Sequence, residues 1–203
     1  TLNLPLISMA TDSNVIGSSD VEIANTIITD YTSADFSFEC WIKAAVAGKA
    51  MFIATHQEDG NDAEGWHLRW ASSNKLYFVV ADHDTDDMTT AVDMTVSADT
   101  WYHVVCSWDA SADKKFVYIN GVLKLIQTGS SIGTIAPDAT LHIGTRRGGA
   151  NQDFIGQIDD VKMYDKLLSD GGVSSGVADN DDLSLTAGGE INRNYKAGKR
   201  SHR

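Results

Sequence analysis

Hydrophobic and polar residues alternate with a period of two over several stretches of the chain, and this alternation predicts β-strands. The two clearest stretches, residues 101–108 and 116–125, are rich in aromatic and β-branched residues. Asn120 and Gly121 divide the second stretch. This pair favours the two-residue turn of a β-hairpin, because both residues tolerate positive φ angles. We therefore predict a protein made mainly of antiparallel strands.

The alternation also assigns the side chains of residues 101–108 to two faces of a sheet. One face carries Val104, Cys106 and Trp108, and the other carries Trp101, His103, Val105 and Ser107. Similar patterns predict strands at residues 36–43, 50–55, 66–70, 75–81, 88–94, 141–144 and 154–164. A short helix is expected near residues 190–197, and no long amphipathic helix is expected before residue 165.

Five of these segments, taken in order, resemble the laminin-G-like modules of the concanavalin A-like superfamily. The segments are Phe36-Ser-Phe-Glu-Cys-Trp-Ile-Lys43, the strand with Trp101-x-His103, the hairpin Tyr118-Ile-Asn-Gly121, Leu141-His-Ile-Gly144 and the closing strand that ends at Tyr164. The resemblance implies an all-β fold, namely a two-sheet antiparallel jelly-roll sandwich. In such a sandwich His103 is expected to be buried and hydrogen-bonded.

The predicted domain boundaries follow from the same resemblance and from changes in composition. Residues 1–14 form a short N-terminal arm, residues 15–168 form the laminin-G-like sandwich, and residues 169–203 form a linker and a basic C-terminal tail. The linker is indicated by its content of glycine, serine and aspartate. The arm is expected either to pack on its own sandwich or to reach a neighbouring subunit.

The charge of the chain is divided unevenly. Residues 190–203 carry five basic groups and one acid, a net charge of +4, so the total of −12 leaves −16 for the rest of the chain. An acidic body does not provide the positive surface that nucleic acid needs, and no apolar run is long enough for insertion into a membrane. The tail is suited to an acidic protein partner. Its candidate partner-binding residues are Arg193, Tyr195, Lys196, Lys199 and Arg200.

The same tail resembles the C-terminal ending of laminin-G-like structural proteins of tailed bacteriophages. The matching residues are Glu190-Ile-x-Arg-Asn-Tyr-x-Ala-Gly-Lys-x-x-His202. The resemblance implies a non-enzymatic virion structural protein, either a capsid decoration (cement) protein or a tail-associated protein, that contacts other virion proteins and copies of itself. The first residues lack the basic start of a secretion signal. We therefore expect assembly in a host cytoplasm and a place in the virion, with an extracellular location as the alternative.

The alternative function is that of a lectin-like, carbohydrate-binding adhesin module that contacts cell-surface glycans. Lectins stack an aromatic side chain on a sugar ring and add polar contacts from rim loops. The candidate glycan-binding residues are Asp62, Trp66, Arg146, Arg147 and Asn151. The competing interpretation places Trp66 and the other strand tryptophans, Trp70, Trp101 and Trp108, in the core.

Calcium is a candidate cofactor, because concanavalin A-like modules often hold this ion at the sandwich rim through oxygen ligands. The candidate ligands are Asp59, Asn61, Asp62, Asp159 and Asp160. Alternatively, Asp159 and Asp160 hold loops by hydrogen bonds and the other three are solvated. Residues 82–87 contain four aspartates. We expect a solvated hairpin loop there, because Asp87 stands where a helix–loop–helix calcium site needs glycine.

Catalytic residues are not expected. The chain has no His-Glu-x-x-His motif and no glycine-rich phosphate loop. It also has no Glu-x-Asp-x-x-Glu strand motif of the kind that sandwich glycosidases use to place paired carboxylates. We therefore predict that the chain is not an enzyme.

The two cysteines, Cys40 and Cys106, lie in predicted strands among aromatic residues. We expect them to be reduced and buried thiols that behave as small hydrophobic side chains. A disulfide would need Cα atoms within about 7 Å of each other. The sequence leaves that alternative open.

Overall fold

The computed structural model describes residues 2–3, 21–24, 35–57, 64–81, 91–129, 132, 135, 139–146, 152–168, 184–185 and 191–192. All regular secondary structure in these ranges is β, in two six-stranded antiparallel sheets and one two-stranded sheet. The predicted all-β sandwich is confirmed. Within these ranges, no helix is long and apolar enough to cross a membrane.

The strands that the structure describes are, in chain order, β1 (Leu2–Asn3), β2 (Val21–Ile23), β3 (Phe36–Ala44), β4 (Met51–Gln57), β5 (Gly65–Trp70), β6 (Lys75–Ala81), β7 (Ala91–Thr95), β8 (Tyr102–Asp109), β9 (Lys114–Ile119), β10 (Val122–Thr128), β11 (Leu141–Ile143), β12 (Gly156–Tyr164), β13 (Ser184–Leu185) and β14 (Ile191–Asn192). The first sheet has the order β1-β12-β3-β8-β9-β10, and the second has the order β2-β11-β4-β5-β6-β7. Strands β13 and β14 pair with each other.

Short strands near both ends of the chain pair with other strands. At the start of the arm, Leu2 and Asn3 pair with Met163 and Lys162 of β12. The helix expected near residues 190–197 is wrong at its beginning, where Ile191 and Asn192 form β14. A helix of about two turns is marginal without packing. Pairing with β13 satisfies the backbone there instead.

The predicted hairpin turn joins β9 and β10. Asn120 and Gly121 adopt φ angles of 52° and 81°, the positive values that a two-residue hairpin turn of this kind requires. The side chain of Asn120 also accepts a hydrogen bond of 2.9 Å from the backbone N–H of His103 on β8. The turn is therefore anchored to the neighbouring strand as well as to its own hairpin.

The core lies between the two sheets and is centred on an aromatic cluster. The ring of Trp66 on β5 lies 5.5 Å from Phe36 and 5.2 Å from Phe38, both on β3 of the opposite sheet. It lies 6.2 Å from Phe78 on β6. Trp66, Trp70 and Trp108 are fully buried, whereas Trp101 is half-buried. The core interpretation is therefore correct for the first three.

The two cysteines face this core from adjacent strands. Cys40 on β3 and Cys106 on β8 are free and fully buried. Burial raises the pKa of both thiols above the ordinary value for cysteine. Both side chains therefore pack as neutral thiols, as predicted.

Lys115 places an amine inside the sandwich. It is fully buried and faces the core together with Val117 and Ile119, because alternate residues of β9 point the same way. Its Nζ donates a hydrogen bond to the carbonyl oxygen of Phe78 on the opposite sheet. Burial lowers the pKa of Lys115 to about 7. Near neutral pH the protein therefore holds this amine only partly charged.

We predict that Lys115→Met removes a pH-dependent part of the stability. The pKa of about 7 in the folded state lies below the ordinary value of 10.5, so the unfolded chain binds more protons between these values. The wild-type free energy of unfolding should rise from about pH 7 to about pH 10, at up to about 1.4 kcal/mol per pH unit from this group. Urea unfolding over that pH range measures the rise.

Lys114→Met is the matched control, because Lys114 is the half-buried neighbour on the other face of β9. Its unfolding free energy should rise with pH in parallel with that of the wild type. Between about pH 7 and about pH 10, the unfolding free energy of Lys115→Met should rise by several kcal/mol less than that of the wild type. Parallel curves for all three proteins would contradict the prediction.

Candidate functional site

The outer face of the first sheet holds a buried carboxylate. Glu39 on β3 is fully buried, and its Oε1 accepts a hydrogen bond of 3.0 Å from Nε2 of His103. Its Oε2 accepts a hydrogen bond of 2.7 Å from the hydroxyl of Tyr164. Nζ of Lys162 lies 3.7 Å from Oε1. Both oxygens of this carboxylate are therefore engaged within the protein.

The surroundings of Glu39 favour its ionised form. Burial by itself would raise the pKa of this glutamate, but His103, Lys162 and Tyr164 outweigh burial and hold the pKa below its ordinary value. The expected role of His103 as a buried, hydrogen-bonded residue is confirmed. This cluster joins β3, β8 and β12 through the carboxylate of Glu39.

The segment after β12 covers part of the same face. Oγ of Ser37 on β3 accepts a hydrogen bond of 2.9 Å from the backbone N–H of Leu168. It also donates one of 2.8 Å to the carbonyl oxygen of Lys166. Leu168 and Tyr164 then pack with Phe116 in a small second core. We interpret the outer face of the first sheet as a structural surface.

The outer face of the second sheet is built around β5. Trp66, Leu68 and Trp70 of this strand belong to the core, so the alternation of side chains directs His67 and Arg69 outward. We call this surface the β5 face. It consists of Phe52 and Thr55 of β4, His67 and Arg69 of β5, Tyr77 of β6, and Arg146 from the segment after β11.

Guanidinium groups lie over aromatic rings on the β5 face. Cζ of Arg69 is 4.8 Å from the centre of the Tyr77 ring, and Cζ of Arg146 is 5.6 Å from the centre of the Phe52 ring. The rings of Phe52 and His67 are 5.1 Å apart. Contacts of this kind attract a cation to the ring face and hold it there. Two positive charges are therefore fixed on this side of an acidic protein.

Three polar atoms of the β5 face are buried and lack a hydrogen-bond partner in the described part of the chain. They are Oγ1 of Thr55, Nε2 of His67 and Nε of Arg69. Thr55 lies directly opposite His67 in the pairing of β4 with β5, and Arg69 is two residues further along the same face. The indole N–H groups of Trp66 and Trp108 also lack partners within the described ranges, but these tryptophans face the core.

The hydrogen-bonding state of His67 follows from its contacts. Its Nδ1 lies 2.8 Å from Oε1 of Gln57. Burial lowers the pKa of His67 to about 3, and the positive charges of Arg69, Arg146 and Lys115 contribute to the shift. The ring is therefore neutral at pH 7. Because an amide oxygen only accepts, Nδ1 carries the proton and Nε2 is an acceptor.

The structure corrects one predicted glycan-binding residue. Trp66 is fully buried between the sheets, so its ring cannot stack on a sugar. The alternation that places its neighbours outside places Trp66 inside. Arg146 does lie on the β5 face. Asp62, Arg147 and Asn151 lie outside the described residues.

Of the predicted calcium ligands, Asp159 and Asp160 lie within the described residues. Asp159 on β12 is buried, and its Oδ1 accepts a hydrogen bond of 2.7 Å from the backbone N–H of Asp160. Asp160 has a φ of 50° at an irregularity in the pairing of β12 with β3. Among the residues with described positions, no group of three or more His, Cys, Asp or Glu side chains could hold a metal ion.

Asp159 thus accepts a hydrogen bond within β12, at the irregularity in the pairing of this strand with β3. The other candidate ligands, Asp59, Asn61 and Asp62, lie outside the described residues, so calcium binding stays a prediction. The tail residues Arg193, Tyr195, Lys196, Lys199 and Arg200 also lie outside them.

Sequence reasoning missed Thr55, His67 and Arg69. The signal for the two β5 residues was present, because His67 and Arg69 alternate with Trp66, Leu68 and Trp70. Placing the tryptophans inside would have directed His67 and Arg69 to the outer face. Thr55 carried no such signal, because its position opposite His67 depends on an irregularity in β4 between Phe52 and Ala54.

Comparison with known sequences identifies the family. A laminin-G family model, described as the concanavalin A-like lectin/glucanases superfamily, matches residues 16–174. The C-reactive protein of Mesocricetus auratus is 34% identical over 76 residues, which is 33% of this chain and 32% of that protein. The chain therefore spans about a third of the length of this relative.

Solved structures share the fold at low sequence identity. The native heptameric SAP-like pentraxin from Limulus polyphemus superposes with a TM-score of 0.51 at 18% identity, over 68% of this chain and 66% of that chain. The Ruminococcus gnavus IT-sialidase CBM40 bound to α2,3-sialyllactose gives 0.59 at 16%, over 77% and 95%. The receptor-binding domain of botulinum neurotoxin C/D mosaic serotype gives 0.59 at 16%, over 85% and 43%.

At these identities the structural likeness establishes the fold, which is that of lectin-like carbohydrate-binding modules. The matched residues 16–174 include every strand of the second sheet and all strands of the first sheet except β1. Since the family model covers most of the sequence, this chain belongs to the concanavalin A-like lectin/glucanases superfamily.

Proposed function

We propose that this chain is a carbohydrate-binding module and that the β5 face is its glycan-binding surface. The observation that carries the proposal is the set of three unpartnered polar atoms on Thr55, His67 and Arg69. Buried polar groups in proteins are nearly always hydrogen-bonded, and each one left unpaired costs about 1–3 kcal/mol. A ligand that supplies the missing partners would recover this cost.

A sugar has the chemistry that this surface needs. Its hydroxyls donate and accept hydrogen bonds, and its C–H faces pack on flat side chains. The half-buried ring of Tyr77 and the guanidinium of Arg69, stacked at 4.8 Å, form such a flat surface beside the unpartnered atoms. Polar atoms and flat apolar surface are therefore adjacent on the β5 face.

Relatives of the same fold support this assignment without deciding it, since one fold hosts many functions. The Ruminococcus gnavus module has been solved with α2,3-sialyllactose, and the botulinum neurotoxin domain is a receptor-binding domain. We propose a ligand of the same general class, a glycan, for this chain.

We also propose that the chain binds glycans without cleaving them. Glycoside hydrolysis needs two carboxyl groups at the scissile bond, and the residues that define the β5 face include none. The buried carboxylate of Glu39 is engaged by His103 and Tyr164 on the other sheet. The acid–base chemistry of a glycosidase thus has no support on this surface.

A second role, compatible with the first, is that of a virion structural protein. We propose that the basic tail of one copy contacts an acidic surface of another copy or of a capsid or tail protein. Support comes from the uneven charge, +4 in residues 190–203 against −16 in the rest of the chain, and from the tail's resemblance to phage structural proteins. The Limulus polyphemus pentraxin, which shares the fold, is heptameric.

Glycan binding is tested with Arg69→Gln. On a glycan array the wild-type protein should bind at least one glycan class, and calorimetry with that glycan should give an affinity about tenfold lower for the variant, equivalent to about 1.4 kcal/mol. Arg69 supplies both an unpartnered N–H and part of the flat surface.

Lys124→Gln is the matched control, because Lys124 is a half-buried cation on β10 of the other sheet. Its affinity should equal that of the wild type. The β5 face is ruled out as a glycan site if the folded wild-type protein binds no glycan on the array. It is also ruled out if Arg69→Gln and the wild type bind with equal affinity.

The structural role is tested with the triple variant Lys196→Gln/Lys199→Gln/Arg200→Gln. Charge attraction between a basic tail and an acidic body weakens with salt, because the screening length falls to about 3 Å at 1 M ionic strength. Sedimentation velocity should show wild-type assemblies at low salt that dissociate at high salt, whereas the variant stays monomeric. Immunogold labelling of purified particles should locate the wild-type chain on the virion.

Lys43→Gln/Lys49→Gln/Lys124→Gln removes the same charge from the described sandwich and should assemble like the wild type. If the tail variant assembles equally well and labelled particles carry no gold, the virion role fails. The glycan proposal would be unaffected by that result.

A further inference from the structure

We propose that Nε2 of His67 accepts a hydrogen bond from a ligand hydroxyl, so that the β5 face requires a hydroxyl group at this position and excludes a carboxylate from it. The inference rests on the proposed glycan-binding function and names the chemical group that one part of the site recognises. It makes His67 a specificity-determining residue.

The first step is the direction of the hydrogen bond. Nδ1 of His67 is 2.8 Å from Oε1 of Gln57 and donates to it, because an amide oxygen cannot donate. Nε2 is then left with a lone pair. It is buried and has no hydrogen-bond partner among the residues that the structure describes. A ligand atom that satisfies it must be a hydrogen-bond donor.

The second step is the chemistry of the two neighbouring atoms. Nε of Arg69 is a donor only, whereas Oγ1 of Thr55 both donates and accepts. Thr55 lies opposite His67 in the strand register, a position that places the two Cβ atoms about 4.5–5.5 Å apart. A group that donates to His67 and accepts from Thr55 or Arg69 completes the set, and a hydroxyl does both.

The third step excludes a carboxylate from the same position. An ionised carboxylate only accepts hydrogen bonds, so it would leave Nε2 unpaired. Its negatively charged oxygen would also face the lone pair of Nε2, which is unfavourable. The positive charge of Arg146 is placed elsewhere on the β5 face, over the ring of Phe52 at 5.6 Å. An acidic sugar therefore binds with a hydroxyl at His67 and with its carboxylate outside this position.

The test uses nuclear magnetic resonance of the ¹⁵N-labelled full chain. In the free protein at neutral pH, the His67 ring should show the tautomer with the proton on Nδ1 and an unprotonated Nε2. Addition of a hydroxylated probe (glucose, galactose, mannose or α2,3-sialyllactose) should shift the Nε2 resonance upfield in at least one case. Acetate, a carboxylate without hydroxyls, should leave this resonance unchanged.

A binding measurement complements the spectroscopy. His67→Phe keeps an aromatic ring against Phe52 but removes the acceptor, and it should weaken binding of the active probe at least tenfold. Lys124→Gln is the control, because Lys124 lies on β10 of the other sheet and does not belong to the β5 face. Its affinity should stay within about twofold of the wild-type value.

The outcomes separate the inference from the function on which it rests. A proton on Nε2 in the free protein, a response of Nε2 to acetate, or unweakened binding by His67→Phe would overturn the inference while glycan binding stands. If none of the sugars binds and the glycan array is blank, both fail. If His67→Phe does not fold, the His67 tautomer measured in the wild-type protein still tests the direction of the hydrogen bond to Gln57.

Discussion

The packing of Trp66 between the sheets determines both the stability of the sandwich and the composition of its outer surface. The ring contacts Phe36 and Phe38 of one sheet and Phe78 of its own sheet, so one side chain links the two halves of the core. Aromatic contacts of this kind add to the large area that each ring buries. Because strand side chains alternate, burying Trp66 forces His67 outward.

The two outer faces use polar groups in opposite ways. On the first sheet, Glu39 is buried with hydrogen bonds to both of its oxygens from His103 and Tyr164. A fully connected network of this kind makes a unique, rigid arrangement. On the second sheet, Thr55 is buried and His67 is half-buried, yet each keeps a buried polar atom that has no hydrogen-bond partner among the described residues. The carboxylate of Glu39 is thus matched within the protein, whereas the atoms of Thr55 and His67 are the ones for which we propose a ligand as partner.

Much of the fold could be predicted from the sequence, because it depends on local patterns. The alternation in residues 101–108 and the Asn120-Gly121 turn report strands and hairpins directly, and the structure contains both. The candidate site was harder, since it depends on which residues of separate strands lie opposite each other. Trp66 was proposed as a ligand contact because an aromatic residue beside a polar loop has the same local pattern in the core and at a rim. Thr55 meets His67 only through the register of β4.

The rigidity of the β5 face explains why unpaired atoms can persist there. Strand β5 lies between β4 and β6 in the interior of the second sheet, so its backbone is hydrogen-bonded on both sides. Gln57 fixes the His67 ring through Nδ1 at 2.8 Å, and the buried Trp66 fixes the adjacent backbone. The ring cannot turn to find another partner without breaking one of these contacts. A site held in this way loses little conformational entropy when a ligand binds, so most of the energy of the new hydrogen bonds contributes to affinity.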